Sequence, residues 1–281
     1  MEFDKYVAAG NDFIVFNGIK NPYKDYSSLA LKACDRHFGL GADGILICEN
    51  SLRADIKMIY YNSDGTQGEM CGNGIRSFSK HIYDYGIVKK LSITIETLDG
   101  IKYINLDTDE LGKVNKVKVD MGFPIFEPSE IPVKINKNNI IEEIITIEEK
   151  DYKYSAVLVG VPHVVIFVED INEIDIDDLG RKIENHLIFP RRTNVNFVEI
   201  INPENVNIYT WERGAGRTLG CGTGSCASVV IGNKIDKLNN RVNVNTEGGK
   251  LTVEIKEDDN IYMTGDAVHI AKGQLFVLNE N

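Results

Sequence analysis

Two cysteine-glycine motifs are the segments of this 281-residue chain whose residue types and spacing point most directly to chemistry. Cys71-Gly72-Asn73-Gly74 recurs as Cys221-Gly222-Thr223-Gly224 further along the chain. In each motif the glycines let backbone N–H groups converge, and a helix that starts there adds the positive end of its dipole. Such a nest binds a carboxylate or a phosphate. A thiol at that position has its thiolate form favoured, so it can serve as a base near neutral pH.

Two such thiols together suit inversion at a carbon next to a carboxylate. One thiolate removes the hydrogen from one face of this carbon, and the other thiol delivers a proton to the opposite face. The amides of the nests stabilise the enolate-like charge that develops. We therefore predict Cys71 and Cys221 as the catalytic pair. This chemistry requires neither pyridoxal phosphate nor a metal ion, so we expect no cofactor and no metal site.

The repeat extends well beyond the two motifs and predicts the fold. At nearly the same shift three further pairs of segments align, namely Val7–Phe16 with Val157–Ile166, Ile56–Tyr61 with Val206–Trp211, and Ile93–Tyr103 with Val242–Thr252. Their apolar alternation and tight turns are typical of hairpins, and a helical spacing follows each cysteine motif. The predicted class is α+β, with two pseudo-symmetric domains, each a mostly antiparallel sheet or barrel wrapped around a central helix.

The buried face of the first central helix and the domain bounds are also predicted. Apolar spacing assigns Ile75, Phe78, Ile82 and Tyr85 to this face, with Gly86 as the stop signal. Turn residues at 122–124 mark a boundary. The predicted domains are residues 1–121, completed by a C-terminal strand at 268–281, and residues 122–267. Residues 134–155 are predicted to form a charged hairpin or a connection.

Composition narrows the partners and the compartment. The net charge is −11, and no basic patch is segregated, so we expect no nucleic-acid partner. No stretch of the sequence has the length and apolarity of a membrane span, and we expect no membrane partner. The five cysteines are odd in number and scattered, which is typical of a reducing compartment. We therefore expect a cytoplasmic protein.

With these features the sequence resembles the diaminopimelate epimerases, a family of cofactor-independent enzymes that use two cysteines. The resemblance runs over nearly the whole chain in family order. Besides the two cysteine motifs, it is carried by Gly10-Asn11-Asp12-Phe13, Gly41-Ala42-Asp43-Gly44, Asn62-Ser63-Asp64-Gly65, Pro162-His163, Thr193-Asn194-Val195-Asn196-Phe197 and Glu212-Arg213-Gly214-Ala215-Gly216. The two Cys-Gly-x-Gly motifs together with the Glu-Arg-Gly loop are the most specific of these segments.

The resemblance implies an activity and a set of site residues. The implied activity is interconversion of LL- and meso-diaminopimelate, in lysine and peptidoglycan precursor biosynthesis, by a homodimer acting on this small amino acid. Cys71 and Cys221 are then the acid-base pair, with His163 and Glu212 beside the thiols. The implied substrate-binding residues are Asn11, Asn62, Gly72, Asn73, Asn194, Arg213, Gly222 and Thr223, of which residues 72, 73, 222 and 223 hold the reacting carboxylate.

Two departures from the family pattern leave alternatives open. Val161 stands where the family usually has Asn, which removes an amide near the far end of the substrate, and Arg217 stands where an acidic residue is common. A related racemase of histidine, glutamate or lanthionine is therefore the main alternative, and a sensor that binds an amino acid without turnover is another. A nicotinamide-dependent oxidoreductase is suggested only by the pattern at 222–227, without a βαβ context. A zinc module at Cys221 and Cys226 lacks a second ligand pair.

Overall fold

A computed structural model describes residues 1–276 of the chain and gives the bounds of its elements. The strands are β1 (Glu2–Ala8), β2 (Asn11–Asn17), β3 (Gly44–Glu49), β4 (Ile56–Asn62), β5 (Gln67–Gly68), β6 (Ser92–Thr97), β7 (Gly100–Thr108), β8 (Val114–Gly122), β9 (Ile140–Ile147), β10 (Lys150–Val159), β11 (Val161–Val168), β12 (Asn194–Asn202), β13 (Asn205–Glu212), β14 (Gly216–Thr218), β15 (Arg241–Thr246), β16 (Gly249–Ile255), β17 (Ile261–Gly265) and β18 (Val268–Gln274). The helices are α1 (Tyr26–Cys34), α2 (Gly72–Asp84), α3 (Ile176–Glu184) and α4 (Gly222–Lys234), with one 3₁₀ turn at Ile171–Glu173. The predicted α+β class is confirmed, because hairpins supply most of the pairings.

The chain divides into two compact units. Unit 1 comprises Met1–Val119 together with residues 265–276, and unit 2 comprises Asp120–Thr264. The domain bounds predicted from the sequence stay a prediction. Of the predicted C-terminal strand, residues 277–281 lie outside the described part of the chain.

Unit 1 is a mixed sheet with α2 packed against β1 and β2. The β1–β2 hairpin turns at Ala9 and Gly10, both of which have positive φ, at 47° and 87°. β2 then pairs with β3 in parallel, β3 with β4 antiparallel, and β18 joins β1 antiparallel. Ile75, Phe78 and Ile82 of α2 are fully buried, as predicted. Tyr85 was wrongly assigned to that face, because it is the C-cap of the helix and remains half exposed.

Unit 2 repeats this arrangement. β10 and β11 form a hairpin at Gly160, β11 pairs with β12 in parallel, and β12 pairs with β13 antiparallel. α4 packs against β10, β11 and β12, and it has the same 13-residue length as α2. The predicted repeat of hairpins around a helix is therefore confirmed in both units. The β9–β10 hairpin also confirms the hairpin alternative for residues 134–155.

α3, the first α-helix of unit 2, was not predicted from the sequence, although it stands at the shift of the internal repeat from α1. The Asp175 side chain caps this helix by accepting a hydrogen bond from the backbone N–H of Asp178. Ile176, Leu179 and Ile183 point into the core at helical spacing. The helix ends at Glu184, a buried residue whose side chain accepts a hydrogen bond from the backbone N–H of Gly214, in the loop that follows β13.

Among residues 1–276, no helix combines the length and the apolar character needed to cross a lipid bilayer.

Candidate active site

Each of the two predicted catalytic cysteines caps the N-terminus of a 13-residue helix. Cys71 precedes α2, and its Sγ accepts a hydrogen bond from the backbone N–H of Gly74 at 3.4 Å. Cys221 precedes α4, and its Sγ accepts one from the N–H of Gly224 at 3.3 Å. Both cysteines have extended backbone angles, as N-caps do. An N–H donor and the positive helix end both stabilise a negative sulfur, so each unit presents a sulfur suited to exist as a thiolate.

The residues after each cysteine form the first turn of its helix. The backbone N–H groups at 72–73 and 222–223 precede the first i to i−4 hydrogen bonds, which run from Ile75 and Ser225 to the cysteine carbonyls. N–H groups at such a terminus bind anions. The Thr223 hydroxyl lies 3.3 Å from the sulfur of Cys221. Both nests therefore have the geometry of a carboxylate site beside a thiol.

In unit 1 a chain of side-chain amides supports the Cys71 nest. The Asn73 Nδ2 donates to Asn11 Oδ1 at 2.6 Å, and the Asn11 Nδ2 donates to Asp43 Oδ2 at 2.9 Å. The fully buried Arg76 donates to Asn73 Oδ1 at 2.9 Å and to the carbonyl of Gly72 at 3.0 Å. The structure thus brings the predicted residues Asn11 and Asn73 together.

Asn62, the remaining predicted residue of unit 1, is the last residue of β4, directly before the turn to β5. Its Nδ2 donates to Thr66 Oγ1 at 3.0 Å, and its Oδ1 accepts from the hydroxyl of Tyr60. These contacts are local, and they hold the side chain in a fixed orientation at the end of β4.

In unit 2 the parallel pairing of β11 with β12 places His163 opposite Asn194. The Asn194 Nδ2 donates to the carbonyl of Pro162 at 2.8 Å, and its Oδ1 accepts from the backbone N–H of Arg213 at 2.9 Å. Asn194 therefore ties the strand of His163 to the loop of Arg213. One N–H and one lone pair of this amide remain for a ligand, because an amide side chain has two of each.

Glu212 is the last residue of β13, and Arg213 begins the loop that follows it. The Glu212 Oε1 accepts a hydrogen bond from Thr218 Oγ1 at 2.7 Å. The Arg213 side chain is exposed, and its Nη1 donates to the carbonyl of Arg191 at 3.2 Å. The remaining face of its planar guanidinium suits a bidentate contact with a carboxylate.

His163 is fully buried, and its environment favours the neutral imidazole. Burial, and to a lesser extent the positive charge of Arg213, together lower its pKa to about 3. Its Nδ1 lies 3.2 Å from the Nδ2 of Asn196. The histidine therefore enters any reaction near neutral pH without a positive charge.

Three further residues of these networks were missed by the sequence analysis. Arg76 lies four residues after Gly72 on the helix that starts at the nest, and this spacing was an available signal. Asn196 lies two residues after Asn194 on β12, and this spacing puts both side chains on the same face of the strand. Glu184 accepts hydrogen bonds from Trp211 Nε1 at 2.7 Å and Gly214 N at 3.0 Å, and nothing local in the sequence indicates this.

The two departures from the family pattern have different surroundings. Val161 begins β11, directly after the turn at Gly160, and brings no polar side chain there. Arg217 forms a bidentate ion pair with Glu247, with its Nη2 2.6 Å from Oε1, and its guanidinium lies over the ring of Tyr209. The charge of Arg217 is thus matched within unit 2.

Within the described residues no cluster of three His, Cys, Asp or Glu side chains is arranged to hold a metal ion.

Solved structures with the same architecture include a phenazine biosynthesis protein and a probable proline racemase. A phenazine biosynthesis protein of the PhzF family from Bacillus anthracis matches with a TM-score of 0.70 at 16% identity, covering 99% of both chains. A probable proline racemase from Agrobacterium radiobacter matches with a TM-score of 0.70 at 15% identity, covering 98% of this chain and 93% of that one. The fold therefore defines this chain as a member of the structural class that these proteins share.

Sequence comparison identifies the family within that class. The profile of the diaminopimelate epimerase family matches residues 3–127 and 155–270. A diaminopimelate epimerase of Caldanaerobacter subterraneus subsp. tengcongensis is 47% identical over 275 residues, covering 98% of this chain and 99% of that protein. One of Alkaliphilus metalliredigens is 45% identical, covering 97% of this chain and 96% of that protein. The chain belongs to the diaminopimelate epimerase family.

Proposed function

We propose that this protein is an isomerase that interconverts LL- and meso-diaminopimelate by two-base proton transfer without a cofactor. The observation that carries the proposal is the pair of thiols, each of which caps a helix and accepts a backbone N–H hydrogen bond. Membership of the diaminopimelate epimerase family supports the substrate. The product would feed lysine and peptidoglycan precursor synthesis.

The proposed reaction transfers one proton at each sulfur. The thiolate of one cysteine takes the α-hydrogen as a proton and becomes a thiol, and the C–H electron pair passes into the enolate-like carboxylate. The thiol of the other cysteine protonates the opposite face of the α-carbon and becomes a thiolate. The configuration is inverted, and proton exchange resets the pair for the next turnover. Cys71 and Cys221 exchange these roles in the reverse direction.

The first-turn amides stabilise the charge that develops on the reacting carboxylate. Residues Gly72, Asn73, Gly222 and Thr223 would supply these N–H groups, because they come before the first intrahelical hydrogen bonds of α2 and α4. Donors that are already oriented need no reorganisation as charge moves onto the oxygens.

Side chains near the nests would bind the rest of the substrate and tune the thiols. We assign Arg213 to the distal carboxylate, since its exposed guanidinium can make a bidentate contact. Asn11, Asn62 and Asn194 would contact the remaining polar groups through hydrogen-bonding capacity left over from the contacts described above. Glu212 and His163 would act beside the sulfurs.

We further propose a cytoplasmic homodimer that acts on a free amino acid. Cysteines that form no disulfide support the cytoplasmic compartment, and membership of the diaminopimelate epimerase family supports the homodimer. The negative net charge argues against an anionic partner such as nucleic acid or a membrane surface.

Exchange of the α-hydrogen in deuterated water tests the reaction and the substrate together. The protein is incubated separately with LL-diaminopimelate, meso-diaminopimelate, histidine, glutamate and lanthionine, and the α-hydrogen signal is followed by NMR. Loss of signal confined to diaminopimelate is the expected result. Exchange confined to another amino acid would show that this protein is instead a related racemase with a different distal pocket, which is the alternative that Val161 suggests. Exchange with none of them would overturn the proposal.

A further inference from the structure

A buried amide, Asn196, packs directly beneath the first turn of α4. Its side chain is completely buried on β12. A Cβ atom added to Gly224 would stand only 2.2 Å from Asn196 Oδ1, so glycine is required for this close approach. Gly224 is also the residue whose N–H donates to the sulfur of Cys221. Asn196 is therefore in van der Waals contact with the nest that holds the thiol.

The hydrogen bonds of Asn196 fix which way its amide points. The Nδ2 lies 2.9 Å from the carbonyl of Val164, and a carbonyl oxygen can only accept. The Oδ1 accepts from Thr210 Oγ1 at 3.2 Å. A flipped amide would set two oxygens against each other at Val164, so this orientation is the stable one.

This orientation determines the proton position on His163. The Nδ2 of Asn196 carries two hydrogens, and after the bond to Val164 the second points to His163 Nδ1 at 3.2 Å. Because that Nδ1 accepts a hydrogen bond, it carries no proton. The neutral ring must then carry its proton on Nε2, which becomes a hydrogen-bond donor.

The Nε2 atom is buried, and no hydrogen-bond acceptor faces it among residues 1–276. A buried N–H without an acceptor destabilises the folded protein, so such a group points to an acceptor that arrives with a ligand. The positive charge of Arg213 acts on the same imidazole. Both features favour an anionic acceptor at Nε2.

We propose that Asn196 is a positioning residue that holds His163 as the neutral Nε2–H tautomer, so that His163 donates a hydrogen bond to an anion of the reaction. The inference rests on the proposed function and refines it, because a ring protonated on Nε2 cannot take up a further proton there. His163 then stabilises negative charge in the transition state, and proton transfer is left to the two thiols.

The tautomer can be measured in the whole protein without any substrate. Long-range ¹H–¹⁵N NMR of protein labelled with ¹⁵N-histidine separates protonated from unprotonated ring nitrogens, and the spectrum of His163→Gln identifies the signals of His163. We expect a protonated Nε2 and an unprotonated Nδ1 at pH 7. The opposite tautomer or a doubly protonated ring in the unmodified protein would overturn the inference.

Variants test whether Asn196 is the cause. In Asn196→Asp the side chain can accept a hydrogen bond from Nδ1–H, so the proton should move to Nδ1, and kcat should fall about 10- to 100-fold. Thr210→Val removes the bond to Oδ1 and keeps the donor to Nδ1, so the tautomer should stay unchanged even if stability falls. Asn243→Asp, on the exposed face of β15, controls for the added charge and should alter neither the tautomer nor kcat.

The outcomes separate this inference from the proposed function. An unchanged tautomer in Asn196→Asp, or inversion of the tautomer in Thr210→Val, would contradict the role of Asn196 whatever the activity. If no amino acid exchanges its α-hydrogen while the Nε2–H tautomer is observed, the proposed function fails, and with it the catalytic role of His163, but the control of the tautomer by Asn196 stands.

Discussion

Replacing Glu184 with Gln should destabilise unit 2 and loosen the loop that carries Arg213. The Glu184 carboxylate, only 5% exposed, accepts one hydrogen bond at each oxygen, from Trp211 Nε1 at 2.7 Å and from Gly214 N at 3.0 Å. A carboxamide offers one oxygen only. If either Trp211 or Gly214 donates to that oxygen, the N–H of the other faces the NH₂ group of the carboxamide and loses its hydrogen bond.

The size of the effect follows from these two contacts. A hydrogen bond to a charged group contributes about 1.5–3 kcal/mol, and Gln retains one of the two bonds in a weaker, neutral form. We therefore expect the free energy of unfolding to fall by about 2–3 kcal/mol. With a urea dependence of about 2–3 kcal/mol per molar for a unit of this size, the midpoint should fall by about 1 M.

The assay is urea unfolding followed by the fluorescence of Trp211, the single tryptophan of the chain. It reports on unit 2 directly. Arg192→Gln is the matched control, because it removes the ion pair between Arg192 Nη1 and Glu184 Oε1, which are 3.6 Å apart, while both buried hydrogen bonds remain. Since the Arg192 side chain is 58% exposed, this control should cost no more than about 1 kcal/mol.

Activity gives a second measure of the same variant. Gly214 follows Arg213, so releasing its N–H should raise KM for diaminopimelate more than it lowers kcat. A loss below about 0.5 kcal/mol in Glu184→Gln, or a loss equal to that of Arg192→Gln, would refute the reasoning that the two buried hydrogen bonds hold this loop.

Three other predictions concern the thiols, the buried arginine and the pH dependence. Cys71→Ser or Cys221→Ser should lower kcat by at least about 10²-fold with an unchanged circular dichroism spectrum, because a hydroxyl is a much weaker base than a thiolate; near-normal turnover in either variant contradicts the two-thiol mechanism. Arg76→Met should lower the free energy of unfolding by about 3 kcal/mol, measured by urea denaturation followed by circular dichroism, since it removes the buried donor to the Gly72 carbonyl; a loss below about 1 kcal/mol counts against this. Lowering the pH from 6.5 toward 4 should destabilise unit 2 by about 1.4 kcal/mol per pH unit through His163, because the unfolded imidazole gains a proton that the buried ring, with its pKa lowered to about 3, does not bind. Urea titrations followed by tryptophan fluorescence measure this slope, and a slope that is equally steep in His163→Asn would show that other groups cause it.

Features that depend on short stretches of sequence were predictable. The recurrence of Cys-Gly-x-Gly before two helical spacings indicated α2 and α4, since a cap and the turn after it involve only neighbouring residues. The hairpins at Gly10, Gly160 and Gly249 followed from alternating apolar residues around turn residues in the same way. Tyr85 marks the limit of such reasoning, because apolar spacing cannot tell the last turn of a helix from its cap.

Contacts between residues distant in sequence were decided by the tertiary structure. Asn194 meets the backbone of Arg213 because β12 and β13 pair antiparallel in a register that sets Val195 opposite Trp211, and a shift by one residue would turn its side chain to the opposite face. Glu184 reaches Trp211 across 27 residues because α3 packs beside β13. The sequence by itself determined the two thiol caps and the repeated fold. Strand register and helix packing alone decided which side chains orient His163 and Arg213, since residue spacing along the chain carries no information about distances across a sheet.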